Sequence, residues 1–245
     1  MTAEREKKIR DVIRRSQPDL TVVLENIFDP LNVSAIMRSC DAVGVRELFV
    51  VYTRDYLQRR GLKLGKKTSA GTFKWIDVYV FDNLQECFSR VRERYQRILA
   101  THLYADSPSV YALDLARPTA LLFGNEDEGI SPEALAMSDG NFIIPQMGFA
   151  ESLNISVACA VTLYEACRQR FAQGAYDQYP KLNAEQQDML FQRWTAMLRD
   201  RDNNPQEAIQ IDIDSPPIPP VFVERDPQAP EKKPVRPSPI TRYDL

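Results

Sequence analysis

Apolar and polar positions follow one another along the chain in a pattern that predicts alternating strands and helices. Short continuous apolar runs predict buried strands, and apolar residues spaced three and four apart predict helices with one buried face. The predicted strands are 21–24, 48–52, 76–81, 98–103, 120–123 and 142–144. The predicted helices are 4–15, 32–43, 83–95, 131–136, 152–171 and 183–199. This alternation indicates an α/β fold with a mostly parallel sheet and helices on both faces.

Polar residues stand where several of these helices are predicted to begin. Ser131 precedes Pro132, a residue favoured in the first helical turn, and Asn183 precedes the last helix. Ser152 is the predicted cap of helix 152–171. Beyond residue 201 the pattern stops in a Pro-rich stretch, which predicts a disordered tail. We therefore expect four parts: an N-terminal basic helix (1–18), the α/β domain (19–175), a helical extension (176–201) and the tail (202–245).

The basic residues are concentrated in two places, although the formal net charge is only −3. One place is the N-terminal helix and the other is residues 54–74, which we call the basic segment. Such clusters are typical of a nucleic-acid-binding surface, and equally of solvated faces, so charge alone leaves both interpretations open. The cations that we select as candidate RNA contacts are Arg10, Arg14, Arg59, Lys63, Lys66 and Lys67.

Several classes of protein are disfavoured by what the sequence lacks. No apolar run is long enough to span a bilayer, and the charged start has no export signal, so we expect no membrane partner. The four cysteines form no C-x-x-C pair, which favours reduced thiols, a cytoplasmic protein and no metal site. No G-x-G-x-x-G follows a strand and no G-x-S-x-G occurs, which disfavours a nicotinamide dehydrogenase and a serine hydrolase.

Three segments place polar groups where a buried α/β core does not need them. In residues 25–38 a strand ends and a helix opens near Asn32, with Arg38 about 100° around that helix from Met37. In residues 121–131 a strand leads into an acidic loop between two glycines, and in 143–158 Pro145 and Gly148 precede a helix that carries Asn154. Each has an ordinary structural explanation as a helix cap or solvated turn. The carboxyl ends of parallel strands are also where ligands bind.

In this order and context, the three segments resemble motifs 1, 2 and 3 of the TrmH family of RNA methyltransferases, within the SPOUT superfamily. The resemblance extends over about residues 5–195. It implies a C-terminal trefoil knot, a homodimer, S-adenosyl-L-methionine as cofactor, and methylation of a tRNA ribose 2′-hydroxyl, at the D-loop guanosine of position eighteen. The 19–175 part then becomes the methyltransferase domain, and the two basic clusters become the expected tRNA-binding surfaces.

The resemblance also assigns residues to roles. The family's catalytic arginine matches Arg38, and its supporting polar residues match Asn32, Glu126, Ser152 and Asn154. The positions that match cofactor contacts are Thr101, Gly124, Ile144, Met147 and Leu153. Because an arginine is a poor base, we expect Arg38 to hold a phosphate and make the hydroxyl more acidic. The proton would pass to a phosphate oxygen or to water.

Two alternatives remain open at this point. One is 2′-O-methylation of ribosomal RNA by the same chemistry. The other is a non-catalytic RNA-binding protein on the same fold, which cofactor binding would distinguish from an enzyme.

Overall fold

The sheet contains six strands, all parallel, in the spatial order β3-β2-β1-β5-β4-β6. This arrangement comes from a computed structural model that describes residues 1–60, 62, 72–104 and 107–200. The strands are β1 Leu20–Glu25, β2 Glu47–Val51, β3 Asp77–Phe81, β4 Arg97–Thr101, β5 Thr119–Phe123 and β6 Gly140–Phe142. All six predicted strands are confirmed, with ends shifted by at most two residues.

Helices cover both faces of this sheet. They are α1 Ala3–Arg14, α2 Pro30–Ala42, α3 Asp55–Arg60, α4 Leu84–Arg92, α5 Pro132–Met137, α6 Ile155–Ala172 and α7 Ala184–Asp200. Alternate residues of the central strands enter two separate cores: Leu24 packs with α2 and α6, and Val23 packs with α4 and α5. A third, smaller core joins α1 to α7 through Ile13 and Trp194. The predicted α/β architecture with helices on both faces is therefore confirmed.

The beginnings of two helices differ from the prediction. α2 begins at Pro30 and is capped by Asp29, whose carboxylate accepts the Leu31 amide at 2.9 Å, rather than opening at Asn32. Proline has a fixed backbone angle that suits the first helical turn, so the helix starts as early as Pro30 allows. α6 begins at Ile155 and is capped by Asn154, so the predicted cap at Ser152 was wrong. Asn32 therefore does not begin α2, and Ser152 does not cap α6.

The other predicted caps are confirmed. The Ser131 hydroxyl accepts the Ala134 amide at 3.1 Å, and Asn183 accepts the Gln186 amide at 2.9 Å. Within the basic segment, the structure describes α3, Leu62 and a short turn at Thr72–Lys74. Lys63, Lys66, Lys67 and the predicted tail lie outside the described residues. No helix in the described part of the chain is both long and apolar enough to cross a membrane.

A buried arginine fixes the C-terminal end of α6. Arg170 is 0% exposed, pairs with the Asp19 carboxylate and donates to Gln17 Oε1 at 3.0 Å. It also donates to the carbonyl oxygens of Leu115 at 3.1 Å and Arg117 at 3.2 Å. One side chain thus joins α6, the start of β1 and the connection before β5. Because α6 is a single rigid element, this anchor also positions Asn154 at its opposite end.

Candidate active site

The three motif segments converge at one edge of the sheet. In a parallel sheet all strands end on the same side, and β1, β5 and β6 each lead directly into one of these segments. The first joins β1 to α2, the second joins β5 to α5, and the third joins β6 to α6. Residues far apart in sequence therefore meet at this edge.

Hydrogen bonds connect one polar residue from each segment. Asn32 donates from Nδ2 to Glu126 Oε1 at 2.6 Å, and Asn154 donates from Nδ2 to Asn32 Oδ1 at 3.2 Å. Asn154 Oδ1 in turn accepts from the Ser156 amide at 2.9 Å and from the Ser156 hydroxyl at 2.6 Å. The Asn154 side chain thereby caps α6 and orients Asn32 at the same time. The structure brings together three of the five predicted catalytic residues.

Arg38 is not part of that cluster. It lies six positions after Asn32 on α2, which places it roughly 120° around the helix axis. Its side chain is exposed and makes no hydrogen bond or ion pair with any residue that the structure describes. Ser152 is likewise exposed, in the loop before α6. The guanidinium of Arg38 is therefore available to a partner outside this chain.

Two asparagines that sequence reasoning missed shape the loops beneath the cluster. Asn26 has a φ of 54°, and its amide group exchanges two 2.8 Å hydrogen bonds with Thr53. Asn125 donates to the Asn26 carbonyl at 2.7 Å and accepts the Asp127 amide at 2.8 Å. Asparagine tolerates the left-handed region better than most residues, so an asparagine directly after a buried strand was the available signal.

Gly124 is required by the shape of its own loop. A Cβ atom at this position would lie 2.3 Å from the carbonyl carbon of Gly129, and Gly129 itself has a φ of 71°. The amides of Asn125 and Gly129 each donate to the other residue's carbonyl at 2.9 Å. The two glycines that bracket the acidic loop therefore close it tightly. The role of Gly124 in cofactor binding stays a prediction.

The loop 145–153 has the properties of a nucleoside-binding surface. Ile144 and Leu153 are half-buried, whereas Met147 is 94% exposed. In the described chain, no amide from Gln146 to Leu153 donates a backbone hydrogen bond. An adenine ring needs apolar walls and a few backbone donors, and this loop offers both. The residues present thus fit the adenosine part of S-adenosyl-L-methionine.

The loop after β4 borders the same region. The Thr101 hydroxyl donates to the Leu122 carbonyl at 3.2 Å, which fixes the end of β4 against β5. His102 follows, with its ring 4.3 Å from that of Tyr104, and partial burial lowers the pKa of this imidazole below 6.5. Among the described residues, no group of three His, Cys, Asp or Glu side chains could hold a metal ion.

The described basic candidates have partners within the chain. Arg10 lies 3.8 Å over the Phe191 ring and pairs with Asp188 at 3.1 Å. Arg14 donates to the Asp177 carbonyl, and Arg59 donates to the Asp55 carbonyl at 3.3 Å. Two of these arginines therefore help to hold α1 against the C-terminal region, and their contribution to RNA binding stays a prediction.

Comparison with known proteins identifies the family. Residues 19–164 match the SpoU rRNA Methylase family. The chain belongs to this family. It is 44% identical over 193 residues to a tRNA (guanosine(18)-2′-O)-methyltransferase of Thermus thermophilus, in a match that spans 79% of this chain and 96% of that relative. It is 39% identical to the protein of the same description from Escherichia coli K12, covering 78% of this chain and 82% of that relative.

Solved structures of SpoU proteins share the fold. The TrmH/SpoU tRNA modifying enzyme of Aquifex aeolicus superposes with a TM-score of 0.71 at 35% identity, covering 79% of this chain and 96% of that one. The SpoU methyltransferase AviRb from Streptomyces viridochromogenes, solved with the cofactor AdoMet, superposes with a TM-score of 0.54 at 27% identity. That match covers 64% of this chain and 62% of AviRb. Membership of the SpoU family thus rests on both sequence and fold.

Proposed function

We propose that this SpoU-family chain transfers a methyl group from S-adenosyl-L-methionine to the ribose 2′-hydroxyl of a tRNA guanosine, the D-loop guanosine at position 18. The observation that carries the proposal is the hydrogen-bonded chain from Glu126 through Asn32 to Asn154, beside a loop with open backbone amides. The relatives at 39 to 44% identity are described as enzymes for this guanosine.

The residues of the chain act by positioning. When bound, S-adenosyl-L-methionine supplies a methyl group that its sulfonium already makes electrophilic. The protein must hold the ribose oxygen in line and promote loss of its proton, and correct placement alone lowers a barrier by several kcal/mol. Arg38 binds the phosphate next to the ribose and stabilises negative charge on the oxygen. A guanidinium keeps its proton in proteins, so the proton passes to a phosphate oxygen or to water.

The direction of Arg38 favours action across a twofold contact. Because it points about 120° away from Asn32 on the same helix, its own cluster is out of reach. We infer that Arg38 meets Asn32, Ser152 and Asn154 of a second copy, where these side chains orient the guanidinium. This arrangement needs a homodimer.

The surface of α6 supports that homodimer. One side of this helix is buried through Cys159 and Leu163, while the other exposes Val157, Tyr164 (57%) and Phe171. These three exposed residues recur at helical spacing and form one stripe. A helix that is apolar on both sides is normally covered on both sides.

We also infer the trefoil knot from the contacts of α6 and its preceding loop. The connection between β4 and β5 holds the later chain at two points: the Val110 amide donates to Ile143 at 2.8 Å, and Gln169 accepts the Leu115 amide at 2.7 Å. A chain that passes through such a connection, rather than beside it, forms the family knot.

The cysteines within the described part are free thiols, which supports a reducing compartment such as the cytoplasm.

Methyl transfer from labelled cofactor to unmodified tRNA and, in a parallel reaction, to ribosomal RNA, followed by mapping of the methylated ribose, tests the function. We expect label at the position-18 guanosine, and label only in ribosomal RNA would overturn the tRNA assignment in favour of the rRNA alternative. Arg38→Ala should abolish turnover while cofactor affinity stays close to that of the wild type. Arg38→Lys should also fail, because a point charge cannot form the bidentate contact. Loss of cofactor binding in Arg38→Ala would contradict its assigned role.

A further inference from the structure

A cleft opens at the same edge of the sheet, beside the acidic loop. Its walls carry two aromatic rings, an ion pair and a carboxylate, from Phe28, Tyr56, Arg54, Glu128 and Asp127. Phe28 belongs to the loop after β1, Tyr56 to α3, and the two carboxylates to the acidic loop after β5. None of these residues is needed by the mechanism above. We call this feature the aromatic cleft.

The two rings form an exposed stacking surface. Phe28 is 55% exposed and Tyr56 is 54% exposed, and their ring centroids lie 6.5 Å apart at an angle of 49°. The rings touch one another, so a flat ligand would lie on them rather than between them. Nucleobases stack on exposed aromatic side chains in this way when RNA is recognised in single-stranded loops.

The charges of the cleft favour a base over a phosphate. Arg54 forms an ion pair with Glu128, so its charge is already compensated. Asp127 adds a carboxylate that makes no hydrogen bond or ion pair with any described residue, while its amide is fixed by Asn125 at 2.8 Å. An unpaired carboxylate repels phosphate and accepts hydrogen bonds from N–H groups. Guanine alone among the four RNA bases offers two such donors, N1–H and the 2-amino group, side by side.

We propose that the aromatic cleft binds the guanine base of the RNA substrate, stacked on Phe28 and Tyr56, with Asp127 accepting N1–H and the 2-amino group. The proposal rests on the proposed function and adds to it the residue that selects guanine. The nearby Glu126 side chain holds Asn32 in the site, so the acidic loop would bind the base and the ribose with adjacent residues.

Replacing guanosine 18 by inosine in a tRNA transcript tests this assignment, because inosine lacks only the 2-amino group. The wild type should bind and methylate the guanosine transcript better than the inosine transcript, by about tenfold or more for one hydrogen bond to a charged acceptor. Asp127→Asn should lose that preference and bring the ratio close to one, since an amide offers one acceptor instead of two. Asp82→Asn removes a charge from the same edge of the sheet outside the cleft and should keep the wild-type ratio.

Measuring both RNA affinity and methyl transfer separates this proposal from the function itself. If no methyl is transferred, the proposed function fails, while the guanosine-to-inosine ratio in binding still tests the cleft. Phe28→Leu and Tyr56→Leu should each weaken binding of both transcripts by about fivefold or more through lost stacking, without changing the ratio. A wild type that does not distinguish the transcripts, or an Asp127→Asn variant that keeps the full preference, would overturn the proposal.

Discussion

Replacing Arg170 by methionine should destabilise the whole domain. Methionine fills much of the same volume, but it leaves the Asp19 carboxylate without its buried partner and the carbonyls of Leu115 and Arg117 without donors. Removing one member of a buried ion pair costs about 3–5 kcal/mol. Lys181 lies 3.0 Å from Asp19 and partly compensates the stranded charge, so we expect the lower part of that range for the pair.

The unpaired carbonyls add to this loss. Each buried acceptor left without a donor costs about 1–3 kcal/mol, and the contributions of groups that share one partner do not add fully. We therefore expect a total of about 4 kcal/mol. Because a domain is stable by only about 5–15 kcal/mol, the variant should fold but with a small margin.

Urea denaturation followed by circular dichroism measures the effect. With a slope of about 2 kcal/mol per molar urea, the midpoint should fall by about 2 M at unchanged slope. Arg38→Met is the control, because the Arg38 side chain is exposed and has no hydrogen-bond or ion-pair partner among the described residues, and it should leave the midpoint unchanged. The double variant Arg170→Met with Asp19→Asn should recover part of the loss, because no charge is then stranded. A midpoint shift below about 0.5 M, or no recovery in the double variant, would refute this account.

Two further outcomes follow from the structure. The single histidine of the chain, His102, should titrate below pH 6.5 in an NMR titration, because burial disfavours its charged form. The contribution of His102 to the free energy of unfolding should be complete above pH 6.5 and should decline as the pH falls towards its lowered pKa in the folded protein. A titration midpoint at or above pH 6.5 would contradict the burial of this side chain. Tyr164→Asp should shift the protein from dimer to monomer in sedimentation velocity and reduce methyl transfer, whereas Val80→Asp on the exposed edge strand β3 should change neither. A Tyr164→Asp protein that remains dimeric would show that the stripe on α6 is not the interface.

The fold was predictable because its signals are local. Buried parallel strands are continuous apolar runs, and β1, β2 and β5 appear as such in the sequence. Caps at Ser131 and Asn183 were likewise predictable, because the capping side chain and the amide it accepts lie three residues apart. The starts of α2 and α6 were not, because several polar residues in each loop could have served as the cap.

The candidate site was predictable in part and for a different reason. The resemblance to the TrmH family selected Asn32, Glu126 and Asn154, and the structure joins these three by hydrogen bonds. The resemblance did not indicate that Asn26 and Asn125 hold the loops beneath these three residues. The hydrogen bonds of Asn26 to Thr53 and of Asn125 to Asn26 depend on strand ends that meet only after folding.

By itself, the sequence determined the order of strands and helices, their buried faces and the segments that carry the chemistry, because each depends on residues within about a turn of one another. Only the tertiary structure decided which side chains meet. It placed Arg170 in contact with Asp19, separated Arg38 from Asn32, and brought Phe28, Tyr56 and Asp127 around one cleft. The contact between Arg170 and Asp19 joins positions 151 residues apart, and the geometry of such contacts is set by strand order and helix packing rather than by any local pattern.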